Sequence, residues 1–260
     1  MKQFLLVIVT CLLLFKSVNA QQYTGISGLI HVPSGAMEKV GTARIGAHFL
    51  NREFTPDKGF DYEGKYHTFS HYLSVAAFSW LEIGYTCTLQ KGRAINMNGQ
   101  VVEGKPRYRF KDRYFSLKIQ PLKEGKWWPS LALGTNDPYG TNGKKNNPDK
   151  NISNGDGKSM YFSNYYIAAT KHIDWKQHNF GFHLAYRHWK RNYNSKWNGL
   201  MGGITYQPSF QKSLRLIAEY TGDDVNIGFD WKLWKHLLIQ SSLQNGKYFS
   251  GGLCLCVNLL

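Results

Sequence analysis

Residues 213–233 read SLRLIAEYTGDDVNIGFDWKL, and on either side of one turn every second residue is large and apolar. Leu214, Leu216, Ala218 and Tyr220 interleave with Arg215, Ile217 and Glu219; Val225, Ile227, Phe229, Trp231 and Leu233 interleave with Asn226, Gly228, Asp230 and Lys232. A period of two puts alternate side chains on opposite faces, so the stretch is two β-strands, each with one apolar and one mostly polar face. Thr221-Gly222-Asp223-Asp224 suits a two-residue turn with Gly first, whose twist matches antiparallel strands. That register sets Tyr220 opposite Val225, Glu219 opposite Asn226, Ile217 opposite Gly228 and Arg215 opposite Asp230. The next hairpin, turning at Trp234-Lys235-His236, brings Gln240 beside Asp230. Two architectures make such a pattern: a soluble sandwich turns its apolar faces inward, and a membrane barrel turns them outward to lipid.

The N-terminus points to the compartment. Lys2 is a basic n-region, Phe4 to Phe15 an apolar h-region, and Val18-Asn19-Ala20 a small-residue cleavage site, so residues 1–20 read as a secretory signal peptide and the mature chain as starting at Gln21. Residues 21–39 read as an N-terminal segment and 40–260 as the barrel. Lys and Arg number 32 against 17 Asp and Glu, and an exported basic chain meets anionic lipid and acidic glycan rather than nucleic acid. Of the four cysteines, Cys11 lies in the leader, which leaves Cys87, Cys254 and Cys256. An odd number gives no disulfide framework, and Cys254 and Cys256 share a strand face as small packing residues.

Helix signals are almost absent after residue 20. Strand-like segments recur at about 40–50, 66–78, 80–90, 112–120, 128–136, 159–171, 177–189, 198–207, 213–221, 224–233, 236–245 and 248–259. Most have the length that a tilted strand needs to cross a bilayer, and an even number is what a single-chain bacterial barrel uses. The connections sort by parity. NREFTPDKGFDYEGK, the KGRAINMNGQVVEGKPRYRFK region and DPYGTNGKKNNPDKNISNGDGK are long, whereas Ser79, PLKEGKW, HIDWK, PSFQKS and the turn at Trp234-Lys235-His236 are short. Long loops on one side and tight turns on the other is the outer-membrane asymmetry, with the long side extracellular. Trp80, Trp127, Trp128, Trp175 and Trp234 fall at the short turns and Trp189 and Trp197 flank an extracellular loop, which suits two interfacial girdles. A soluble carbohydrate-binding sandwich explains the loop parity worst. The expected fold is therefore an all-β antiparallel transmembrane β-barrel of about 12 strands in the bacterial outer membrane, its apolar face on lipid. An epitope tag near Asn147, in the third long loop, should be detectable on intact cells; detection only after the outer membrane is opened would invert the topology.

Three stretches are more specific than any of these patterns. GISGLIHVPSGAMEKVGTARIGAHF (Gly25 to Phe49), WPSLALGTNDPYGT (Trp128 to Thr141) with YFSNYYIAATK (Tyr161 to Lys171), and GLMGGITYQPSFQKSLRLIAEYTGDDVNIGFDWKLW (Gly199 to Trp234) resemble the YjbH-like family of outer-membrane proteins. The resemblance implies a role in exopolysaccharide or capsule production. Full-length relatives of that family are longer and carry further domains, so the likeness is to a barrel portion.

No catalytic, cofactor or metal site stands out. His67 and His71 share a strand face but lie about 13 Å apart, too far to share a metal without other ligands. His183 with Ser163 imitates a nucleophile pair without any supporting spacing. The Asp- and Asn-rich loop after Asn136 lacks a calcium-loop pattern. Cations interleaved with aromatics in KPRYRFKDRY (Lys105 to Tyr114) suit sugars and phosphate. The expected glycan- or anion-contacting residues, in the lumen or at the rim, are Arg107, Arg109, Arg113, Arg187, Arg215, Glu219 and Asp230. The expected function is a non-enzymatic barrel in exopolysaccharide or capsule export or assembly, with outer-membrane lipid, lipopolysaccharide, acidic polysaccharide and other export-machine proteins as partners. The alternative is an outer-membrane enzyme acting on lipid or lipopolysaccharide. Lys at Leu216 or Phe229 should be costly under this reading, and Lys at Asn226, facing a wet lumen, mild.

Overall fold

A computed structural model describes residues 21–55, 65–93, 102, 104–139, 161–190 and 192–260. Residues 1–20, read above as a signal peptide, and the tag site near Asn147 lie outside the described residues. Twelve strands run in chain order: β1 (Thr42–Leu50), β2 (Thr68–Phe78), β3 (Leu81–Gly92), β4 (Arg107–Leu122), β5 (Ser130–Asn136), β6 (Asn164–Trp175), β7 (His178–Trp189), β8 (Gly199–Gln207), β9 (Leu214–Tyr220), β10 (Val225–Leu233), β11 (Leu237–Gln244) and β12 (Tyr248–Asn258). Each pairs antiparallel with its neighbours in sequence, and β1 closes on β12 from Thr42↔Asn258 to Phe49↔Gly251. Closure matters because an open sheet edge has no hydrogen-bond partner in lipid.

The opening hairpin has the register its residues predict. Val225 faces Tyr220, Asn226 faces Glu219, Gly228 faces Ile217 and Asp230 faces Arg215. Gly222 takes φ +104° at the first turn position, a conformation that favours glycine. Asp230 pairs with Gln240 on β11, and the three-residue turn at 245–247 leaves Phe249, Leu253 and Leu255 exposed and Cys254 buried.

The apolar members of the alternation are outside. Leu216, Ile227, Leu184, Leu133, Phe115 and Leu253 are exposed, while Arg215, Glu219, Asp230, Glu82 and Arg187 are buried within. A closed barrel with this inversion is a membrane-spanning outer-membrane architecture. At the short-turn end Trp80, Trp127, Trp128, Trp175 and Trp234 are exposed, Trp127 at 81% and Trp234 at 76%, as an interfacial girdle requires.

The other end departs from expectation. Trp189 and Trp197 are buried, in one cluster with Tyr23, Leu50, Phe54, Tyr114, Tyr161 and Phe162. Trp189 follows Arg187 by two residues, so the alternation that turns Arg187 inward turns Trp189 inward as well. Two strands also have different bounds. β4 begins at Arg107 because residues 107–110 pair with Gln90–Gly92 across a bulge. β6 continues to Trp175, paired with His178 on β7, while β5 stops covering its other edge at Ser130↔Thr170. There the β4–β5 turn takes over: Glu124 accepts from the His172 amide at 2.7 Å and from Lys171 Nζ at 2.9 Å. Partial burial opposes ionisation of Glu124, but the His172 and Lys171 hydrogen bonds outweigh it and hold the carboxyl below its usual range.

Twelve strands enclose more space than inward side chains fill, since about eight already leave room for side chains or one small ligand. The surplus is taken by the chain itself. Residues 21–35 are all buried, folded into a compact irregular body by bridges Gln21↔Ser27 and Gly28↔Pro33 and by the bonds Gln22 N to Ile26 O at 2.8 Å and Leu29 N to Val32 O at 2.9 Å. The wall is shaped to receive it: a Cβ on Gly203 would sit 2.5 Å from Leu29 Cδ2, and one on Gly228 would sit 2.7 Å from Ile30 Cδ1.

Candidate functional site in the barrel lumen

An irregular segment brings backbone N–H and C=O groups that no sheet ladder satisfies, and burying them unpaired is costly. The lumenal charges meet that need. Glu219 on β9 accepts from the amides of Ile30 (3.2 Å), His31 (3.0 Å) and Val32 (3.1 Å), from His31 Nδ1 at 2.9 Å and from Asn226 Nδ2 at 2.9 Å. Across the lumen Glu82 on β3 accepts from Ser27 N (2.9 Å), Ser27 Oγ (2.8 Å) and Glu38 N (2.7 Å). Cations take the carbonyls. Lys118 on β4 donates to Ser27 O at 3.0 Å and to Ala36 O, Arg187 on β7 to His31 O at 2.7 Å, and Arg215 to Gly28 O at 3.2 Å.

Neutral side chains complete the cradle. Ser70, Ser74 and Thr86 donate to the carbonyls of Tyr23, Gly25 and Thr24 at 3.0, 2.7 and 3.1 Å. Gln120 donates to Gly35 O at 2.7 Å, and Thr170 Oγ1 accepts from Gly35 N at 2.8 Å. Arg215 also pairs with Asp230, Nη2 to Oδ2 at 2.7 Å and Nε to Oδ2 at 3.0 Å. Gln240 joins this pair to the segment by donating to Asp230 Oδ1 at 2.7 Å and to Gln21 O at 3.0 Å. Above them the His31 ring stacks on Phe54 with centroids 3.9 Å apart, under the aromatic cluster at the long-loop end. On the short-turn side, where the segment enters, Glu38 is held by Arg44, and burial raises its carboxyl pKa in spite of that partner.

The residues expected to contact glycan or anion thus divide into two groups. Arg187, Arg215, Glu219 and Asp230 converge in the lumen, where Arg187, Arg215 and Glu219 bond to residues 28–32, Arg215 pairs with Asp230, and Asn226 and Gln240 donate to Glu219 and Asp230. Arg107 and Arg113 are exposed at the long-loop half of β4, and Arg109 lies in the same strand. Glu82, Lys118 and Gln240 belong to the lumenal set although only their inward register positions signal it. The His183–Ser163 pairing is not made: His183 lies between Thr170 and Thr205 at 2.9 and 3.2 Å, and Ser163 Oγ donates to Asp137 O. His67 accepts from Arg52 N at 3.0 Å and His71 is exposed on the outer wall.

The cradle joins stretches far apart in sequence. Gly28-Leu29-Ile30-His31-Val32-Pro33-Ser34 is gripped by Glu219 and accommodated at Gly228, and Asn226 orients the Glu219 carboxylate, so Ala218-Glu219-Tyr220 through Gly228 is the segment's receptor. These are two of the stretches that carry the family resemblance. Residues 20–260 match the family described as exopolysaccharide biosynthesis protein YbjH. No curated protein matches the chain. Among solved structures it is similar to outer membrane phospholipase A from Escherichia coli, at 12% identity, 85% of this chain, 98% of that chain and a TM-score of 0.36. It is also similar to LpxR from Salmonella typhimurium, at 12% identity, 82% of this chain, 99% of that chain and a TM-score of 0.42. With its full barrel and its lumenal segment inside the matched range, the chain belongs to the YjbH family of exopolysaccharide biosynthesis proteins.

Proposed function

We propose that the protein works without catalysis, as an outer-membrane barrel in the export or assembly of exopolysaccharide or capsule, and that its lumen is a closed wall rather than a standing pore. The observation that carries this reading is the use made of the lumenal charges. Arg187, Arg215, Glu219, Glu82 and Lys118 hold the chain's own residues 21–36, so an acidic glycan meets the rim and the outer wall first. Acidic polysaccharide, lipopolysaccharide and other export-machine proteins are the proposed partners, with nucleic acid excluded by compartment. In the same reading residues 1–20 are removed as a signal peptide, 21–39 form the plug and its lead-in, and 40–260 form the wall.

Loss of surface glycan in a deletion strain, with lipid A unchanged, supports the reading. Altered lipid A acylation with normal glycan would instead support an enzyme acting on lipid or lipopolysaccharide. In planar bilayers the intact protein should show no steady ion conductance, and deletion of residues 22–36 should produce discrete conductance steps. Steady conductance by the intact protein would overturn the closed-wall part of the proposal.

A further inference from the structure

The outer wall is not electrically uniform. On β1 to β4 the outward rows run Ile45–Leu73–Tyr85–Phe115, then Ala47–His71–Cys87–Arg113, then Phe49–Phe69–Leu89–Lys111, each toward the long-loop end of the one before. Lys91 lies one step further, its Nζ 5.8 Å from the centroid of the Tyr108 ring. Arg113 and Lys111 are exposed. No outward position on β2, β3 or β4 carries an acid, because Glu82 and Asp112 point inward and are buried. Among the described residues the other strands place one further Lys or Arg on the outer wall. This is Lys171, near the short-turn end and paired with Glu124 at 2.9 Å.

The height of these cations identifies what they meet. Arg113 stands nine residues from the end of β4 at Leu122, about 30 Å of strand, which a tilt of about 40° reduces to about 23 Å. The apolar band of such barrels is about 25 Å tall. With its lower edge marked by Trp127 and Trp128, Arg113 lies at the upper edge and Lys111 and Lys91 beyond it. Neighbouring outward residues of a strand are about 7 Å apart and adjacent strands about 4.8 Å, a spacing that serves more than one phosphate on a single rigid headgroup. Exposed aromatics beside the cations, Tyr108 and Phe115, suit sugar faces and acyl chains.

We propose that the outer face of β3 and β4 is a binding site for a phosphorylated glycolipid of the outer leaflet, with Arg113, Lys111 and Lys91 on the phosphates of the lipid A disaccharide. The inference rests on the outward apolar face and the long-loop orientation, not on the exopolysaccharide reading. Lipid A binding by a protein whose deletion leaves surface glycan normal would sink that reading and leave this one standing.

The test uses the purified full-length barrel in detergent, titrated with diphosphoryl lipid A, its fully dephosphorylated form and phosphatidylglycerol, with binding read by native mass spectrometry. Diphosphoryl lipid A should bind at least about tenfold more tightly than either comparison lipid, and the Lys111→Gln/Arg113→Gln double variant should lose about tenfold or more. Lys171→Gln, on the same wall near the other membrane face, should change nothing. Equal affinity for the dephosphorylated form, which needs no variant, would overturn the proposal. So would equal affinity for phosphatidylglycerol, or a double variant that keeps its heat-modifiable migration and binds as the wild type does.

Discussion

Replacing Glu219 with Ala should destabilise the folded barrel by about 3–5 kcal/mol, the cost of breaking a buried, multiply bonded charge. One carboxylate accepts the amides of Ile30, His31 and Val32 together with His31 Nδ1 and Asn226 Nδ2. Its removal leaves these donors in a lumen where Asn226 is 0% and Leu29 0% exposed, so water has no ready access to them. Glu219→Gln keeps the shape but offers a single acceptor oxygen and turns an NH₂ toward other donors, so it should fall between the two. Urea unfolding in lipid or detergent, followed by the change in gel migration of unboiled samples, measures the loss. The mechanism has a second readout. In a protein already lacking residues 22–36 the same Ala substitution should cost under about 1 kcal/mol, because the interaction it breaks is absent. An equal cost in both backgrounds would show that Glu219 supports the wall and not the segment.

Much of the wall was legible from residues alone, for local reasons. A strand's side-chain period is fixed at two, so the apolar residues of 213–233 divide by face without knowledge of the fold. Gly222 at the head of a two-residue turn then sets the pairing that brings Arg215 onto Asp230. What fills the lumen was not legible. The Ser27–Glu82 contact spans 55 positions and the His31–Glu219 contact 188, and residues 21–36 have no periodicity to mark a face. Alternation says that Glu219 points inward; it does not say whether water, glycan or protein awaits it there. The girdle reading of Trp189 failed for a different reason: the parity shared with Arg187 outranks proximity to a loop, and the buried ring packs near the end of the plug at Tyr23.

That packed interior changes what a charge does on each face. Leu216→Lys, on the outer wall where Leu216 is 44% exposed, should cost about 2–4 kcal/mol in a bilayer, since an ammonium near the midplane has no water. Strand alternation alone predicts that Asn226→Lys is mild in a wet lumen, but Asn226 is fully buried and donates to Glu219. A Lys there brings a charge toward Glu219 together with a chain longer than the fully buried Asn226 it replaces, and overpacking of this kind costs about 1–3 kcal/mol. Asp223→Lys, at the exposed turn between β9 and β10, is the position that should stay within about 0.5 kcal/mol. The two costly changes separate by solvent. Refolding into thinner bilayers should reduce the Leu216→Lys cost, because less hydrocarbon lies between the ammonium and the interface, and should leave the Asn226→Lys cost unaltered. Deletion of residues 22–36 should do the reverse, relieving Asn226→Lys and not Leu216→Lys. A Leu216→Lys protein as stable as Asp223→Lys in a full-thickness bilayer would mean that the apolar face of SLRLIAEYTGDDVNIGFDWKL does not meet lipid.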